Sequence, residues 1–284
     1  MRYLMHIAFD SSCRLNRNVY YLRYKKTKFK LIQCNPKWQN VLLTILPDSN
    51  NKAERVIYRA ASEYLSAFSW QHGAMVTVNY VGGAGRRNIT LRKAQCSMFH
   101  PREIQQSSVG HDIRTIPMVE NEKQRKAIAL FRQAFSNPNP YFQFLFYWHV
   151  VGIGKKKPSD WIDETHKKKE IGGLSDYLTR LHLVGNRPLG KYLHEDCRNA
   201  IAHINRSHGR RELRIDDLDD LERFWISTYV VKEFARFYIK NELGLNKKAY
   251  LVRRKGRGFP TYVGEDELRE KLDYKLAYER KSSF

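Results

Sequence analysis

Residues 194–206 read HEDCRNAIAHINR, and Arg198, Asn199 and His203 within them are the residue types that cleave RNA without a metal. A histidine whose ordinary pKa is about 6.5 gives or takes a proton near neutral pH. A planar guanidinium grips a phosphate through two parallel hydrogen bonds and offsets the charge that builds on a pentavalent phosphorus. The attacking group is then the RNA's own 2′-hydroxyl, and no cofactor is required. Metal chemistry is not expected. Cys13, Cys34, Cys96 and Cys197 stand far apart with no C-x-x-C pair, and Asp216, Asp217, Asp219 and Asp220 read as caps and dipole partners at a helix start.

The element that must position these residues is a helix expected from about Lys191 to Asn205. At about 100° per residue, Leu193, Cys197, Ala200, Ile201 and Ile204 share one face and pack inward. Glu195, Asn199 and His203 follow at i, i+4 and i+8 on the polar side. Arg198 falls about 140° around from His203, with the small Ala202 between them. Two groups so far apart on one helix meet at one phosphate only if a second copy faces the first, so a homodimer through this helix is expected. A second Arg-to-His spacing, Arg187 to His194, contains Pro188 and Gly190 and is read as a loop.

Other residues suit contact with a polyanion. Arg206, His208, Arg210 and Arg211 form a basic loop just after the helix, placed to grip phosphates. Arg253 and Arg254 interleave with Tyr250, Phe259 and Tyr262, a mixture of charge and rings that suits single strands, with a strand or hairpin packed on the body as the equal alternative. Gly82, Gly83 and Gly85 beside Arg86 and Arg87 lack the Lys-Ser/Thr of a phosphate loop and read as the tight turn of a hairpin across residues 75–91. His149, beside Trp148 in an aromatic stretch, reads as a buried, satisfied histidine.

These stretches sit in a chain of 284 residues whose 51 Lys and Arg against 29 Asp and Glu give a net charge of +22. An excess of that size draws in phosphates and makes RNA the expected partner, with DNA second. No leader-like or membrane-spanning stretch is read in the sequence, so a cytoplasmic protein is expected, with no membrane partner. The pattern divides into an N-terminal mixed α/β domain, residues 1–118, and an all-α bundle, residues 119–245. A basic aromatic extension, residues 246–284, follows, and the fold class is α+β. In the first domain a helix is expected over about 52–69. In the second, Ala127, Leu130, Phe131, Ala134 and Phe135 stripe one helix, which SNPNP ends. Another starts near Tyr141 and breaks around GIGKKKPSD, a short one covers the residues from Leu174, and a long closing helix ends at Gly244.

CRNAIAHIN in the penultimate helix of a C-terminal bundle resembles the HEPN superfamily, whose signature is an Arg, a polar residue and, a few positions on, a His. The resemblance covers about residues 119–245. It implies a HEPN-like bundle and a metal-independent ribonuclease site shared across a dimer, with Arg198 and His203 catalytic and Asn199 supporting. The overall layout is similar to bacterial HEPN-containing proteins labelled methylamine utilisation protein J. HEPN toxins controlled by a nucleotidyltransferase antitoxin often carry a Tyr two residues after the His; Asn205 stands there in this chain. The expected function is therefore a metal-independent endoribonuclease, of the kind used as a toxin or anti-phage defence effector, with a regulatory partner or antitoxin. The alternative is a non-catalytic nucleic-acid-binding or assembly module of the same fold.

Overall fold

The computed structural model describes residues 2–33, 39–46, 51–86, 90–94, 110–155, 157–168, 171–181, 187–202, 213–214, 217–254, 258–271 and 274–278. They form two compact units, one of residues 1–119 with 246–284 and one of residues 120–245. The first is built on a sheet and the second on helices, so the chain is α+β.

The first unit runs β1 (Arg2–Ser11), β2 (Arg14–Leu15), β3 (Val19–Tyr24), β4 (Thr27–Gln33), β5 (Gln39–Leu46), α1 (Asn51–His72), β6 (Val76–Arg86), β7 (Gly110–His111) and β8 (Thr115–Pro117). After the helical unit it resumes with β9 (Lys248–Arg254), β10 (Thr261–Gly264), a short helix Glu265–Glu270, and β11 (Tyr274–Leu276). The main sheet has the order β11-β9-β10-β3-β4-β5-β1-β6, with β8 also paired to β9. Its central strands are apolar on both faces because both are covered: Leu4, Met5 and Ile7 of β1 and Val41, Leu42 and Leu43 of β5 are all buried. The helix α1 packs against β3, β5, β6 and β8, and its buried Ala60, Ala61, Tyr64, Leu65 and Phe68 recur at helical spacing. Leu4, Ala8, Val41 and Leu43 pack instead against Leu91 and Ala94, with Phe259 at the margin.

Two expectations change here. No hairpin turns at the glycines; β6 runs straight through them and pairs Gly82, Gly83 and Gly85 with His6, Met5 and Tyr3 of β1. The register slips between Ala8 and Phe9, which leaves Asn79 as the extra residue of a bulge. A Cβ at Gly82 would collide with the Tyr80 ring, so this glycine makes room for a side chain rather than for a turn. The segment after 246, expected as a separate extension, supplies β9, β10 and β11 to the sheet. The Arg23 amide donates to the Pro260 carbonyl at 2.6 Å, and Ala249, Leu251, Val252 and Val263 are buried. Its alternating apolar residues are core, and the basic residues mark the exposed ends of the strands.

The helical unit comprises α2 (Glu122–Phe135), α3 (Pro140–Val151), α4 (Pro158–Lys168), α5 (Ser175–Arg180), α6 (Leu189–Tyr192), a π-helical turn Leu193–Arg198, α7 (Asn199–Ala202), α8 (Leu218–Phe237) and a second π-helical turn Tyr238–Glu242. Sequence and caps agree at several ends. Asn121 and Gln124 form a reciprocal capping box on α2, and Asn139 caps α3 with Pro140 in its first turn. Asp217 accepts from the amides of Asp219 and Asp220 at the start of α8, and Gly244, with φ +66°, ends the last helical stretch. The helix α4 escaped the sequence reading, since Ile162 and Thr165 are its sole buried residues and leave almost no apolar stripe. Among the described residues no helix is long and apolar enough to cross a membrane.

Candidate active site

The segment that carries Arg198 is not the uninterrupted α-helix that its periodicity suggests. The Asn199 amide donates to the His194 carbonyl, five residues back, and the turn Leu193–Arg198 is π-helical. One residue inserted into the turn slips the phase by about 100°, so no single face continues from Leu193 to Ala202. Leu193 and Cys197 are fully buried, whereas Ala200 and Ile201, expected on the same face, are only half-buried and Ala202 is exposed.

The loop expected between Arg187 and His194 is helical from Leu189. Pro188 precedes the first turn, where its missing N–H is tolerated. Gly190 lies so close to α4 that a Cβ there would run into the Ser159 carbonyl, and its amide donates to Asp163 Oδ1 at 2.6 Å. Glycine is present for close approach, not for a break.

Charge around Arg198 is sorted by neighbouring residues. Arg187 forms ion pairs with both Glu195 and Asp196, the two carboxylates of the π-helical turn. Arg198 is half-buried, donates from Nη1 to Asn199 Oδ1 at 2.9 Å, and has no acidic partner among the described residues. Its guanidinium is thus held by a neutral amide and, among the described residues, its charge is not paired, the condition under which an arginine binds an anion.

Behind this turn lies a buried polar group that fixes it to α8. Arg223 donates to the Asp196 carbonyl at 3.1 Å and pairs with Asp220 at 2.9 Å, while Asp220 also accepts from the Arg214 amide at 2.9 Å. Cys197 Sγ and Ser227 Oγ are 3.5 Å apart. Burial pushes the Cys197 thiol up to about 11 and raises the Tyr192 hydroxyl beside it, so both stay protonated near neutral pH. On the other side Trp148 stacks on His194, with ring centres 5.8 Å apart. That contact gives His194 a packing role, which its sequence spacing did not indicate.

The remaining expected residues are placed as follows. His203, Arg206, His208, Arg210 and Arg211 lie outside the described residues, as does Asp216. Arg253 and Arg254 are exposed at the end of β9, in the first unit rather than in the unit of Arg198. Tyr262 is no free stacking surface: its ring packs 6.2 Å from Tyr24 and 6.1 Å from Tyr64, and its hydroxyl donates to the Ile113 carbonyl. His149, expected inside, is exposed, because α3 turns Tyr147, Trp148, Val150 and Val151 to the core and leaves position 149 outward. Asp217 and Asp220 serve as helix cap and buried ion-pair partner. Cys13 and Cys197 are buried free thiols.

No curated protein and no solved structure matches the chain. Residues 127–240, which begin within α2 and end in the π-helical turn after α8, match the family described as methylamine utilization protein MauJ. That span lies wholly inside the helical unit and contains Arg198, Asn199 and His203.

Proposed function

We propose that the helical unit is a HEPN-like bundle acting as a metal-independent endoribonuclease, with Arg198 holding the scissile phosphate and His203 moving the proton. The observation that carries this reading is the state of Arg198: the two nearby carboxylates are occupied by Arg187, and its own partner is the neutral Asn199 amide. In the reaction the 2′-hydroxyl loses its proton to the base, the 2′-oxygen bonds to phosphorus, and the bond from phosphorus to the 5′-oxygen breaks as that oxygen is protonated. The products are a 2′,3′-cyclic phosphate and a 5′-hydroxyl. His203 takes or gives the proton, and the Arg198 guanidinium offsets the charge on the phosphoryl oxygens.

The reading includes a homodimer through this segment, where the exposed Ala202 allows a second copy to come close. It also includes a role as a toxin or defence effector restrained by a partner. Full-length protein incubated with RNA in EDTA is expected to leave 2′,3′-cyclic phosphate ends, and His203→Ala to slow this by about 10²–10⁴-fold. Undiminished cleavage by His203→Ala rejects the assignment. Tight, salt-sensitive RNA binding without cleavage, unchanged in His203→Ala, marks the non-catalytic nucleic-acid-binding module instead.

A further inference from the structure

A cavity of about 460 Å³ opens in the first unit between the β3–β4 turn, the end of β5, α1 and residues 90, 91 and 259. Lys26 and Lys28 line it from the turn and the start of β4, while Ile45, Ile57, Leu91 and Phe259 supply apolar wall; three threonines complete the lining, and among the described residues no acidic side chain takes part. The two lysines differ from their neighbours. Lys25 pairs with Glu63 at 2.7 Å, and Lys30 donates to the carbonyls of Ala94 at 2.6 Å and Arg92 at 3.1 Å. Neither Lys26 nor Lys28 has an acidic partner among the described residues, and the Lys28 ammonium stands 5.5 Å from the centre of the Phe259 ring. That ring also meets Tyr21 at a steep angle, with centres 5.8 Å apart.

Two ammonium groups in a concave site, without an acidic partner among the described residues, favour an anion. A bare anion leaves the apolar wall and the ring unused, whereas a fatty chain leaves the threonine hydroxyls unused. A molecule with a phosphate at one end, a hydroxylated middle and a flat ring at the other uses all three, and the volume falls within the roughly 300–1,000 Å³ of small-molecule sites. We infer that this cavity binds a nucleoside phosphate, with the phosphate on Lys26 and Lys28 and the base against Phe259. Stacking on such a ring tolerates any base, so the site selects for the phosphate and the flat ring rather than for one nucleobase.

Calorimetric titration of the full chain with AMP, adenosine, inorganic phosphate, and hexaadenylate bearing either a 5′-phosphate or a 5′-hydroxyl tests this. AMP or the 5′-phosphorylated strand is expected to bind, with adenosine and inorganic phosphate each at least about tenfold weaker than the better of the two. The better of the two shows whether the source is a free nucleotide or a strand end. Lys28→Glu and Lys26→Glu, both at exposed positions, are each expected to weaken that binding at least about tenfold at an unchanged melting temperature, and Phe259→Ala, which also loses packing on the core, to weaken it as much in the fraction that stays folded. Binding must persist in His203→Ala, which separates this site from the ribonuclease reading. Failure of both phosphorylated probes at about 1 mM, adenosine binding as tightly as AMP, equal binding of the two strands where a strand is the better ligand, or no effect of Lys28→Glu would each overturn it.

Discussion

Arg187 and Arg198 show how little a residue type says until its partners are known. Both precede a histidine by a similar interval, yet Arg187 spends its charge on Glu195 and Asp196 while Arg198 keeps its own beside an amide. The same logic governs His72 in the first unit. Its Nε2 is buried without a hydrogen-bond partner among the described residues, its ring lies 4.7 Å from Phe68 and 5.2 Å from His111, and burial first, then His111, lowers its pKa from 6.5 to about 4. The folded state therefore keeps this imidazole neutral where the unfolded chain already binds a proton. The stability this provides is complete above pH 6.5 and is lost as pH falls through about 4, at most about 3 kcal/mol over that window. Replacing His72 with Phe should flatten the urea-unfolding midpoint between pH 6.5 and 4 relative to the native chain. An equally steep acid loss in His72→Phe would show that other groups set it.

At the scale of elements, the close crossing of α6 on α4 depends on one missing side chain. Gly190→Ala forces a Cβ against the Ser159 carbonyl and strains the bond from the 190 amide to Asp163, so roughly 1–3 kcal/mol of destabilisation is expected. Gly172→Ala, exposed and with nothing near its Cβ, should be close to neutral in the same thermal melts. Equal midpoints for the two variants would mean that α6 can shift away from α4 without cost. These residues also show where the sequence was readable. The helices α1, α2, α3 and α8 were visible because each is a long run rich in apolar residues, and α2, α3 and α8 also begin at capping residues, Asn121, Asn139 and Asp217. The π-helical turn was not, since its inserted residue leaves the local types unchanged and alters only the phase between Leu193 and Asn199. Gly82 and Gly190 were misread for a related reason. Glycine marks turns and close contacts with the same letter, and only the partner, Tyr80 in one case and Ser159 in the other, tells them apart. For the segment after 246 a strand packed on the body stood as an equal alternative, and the buried Ala249, Leu251 and Val252 decide for it; basic residues at the exposed strand ends left the two readings level in the sequence.

At the scale of the whole molecule, a net charge of +22 draws any RNA to the surface, so binding alone says little about where the chemistry lies. The proposed site is defined by its sharing between two copies, and sharing has a quantitative signature. If Arg198 of one copy works with His203 of the other, an Arg198→Ala chain paired with a His203→Ala chain holds one site with both residues intact and one with neither. Random pairing at equal amounts makes about half of the dimers mixed, and one of the two sites in each is whole. Two inactive proteins should then regain about a quarter of the native cleavage rate when co-expressed, with mass-resolved sedimentation confirming the mixed dimer. A site built from Arg198 and His203 of the same chain regains nothing, because every chain in the mixture lacks one of the pair. Recovery near a quarter would thus assign the two residues to opposite subunits, and a mixed dimer without recovery would refute the shared site while leaving the dimer itself intact.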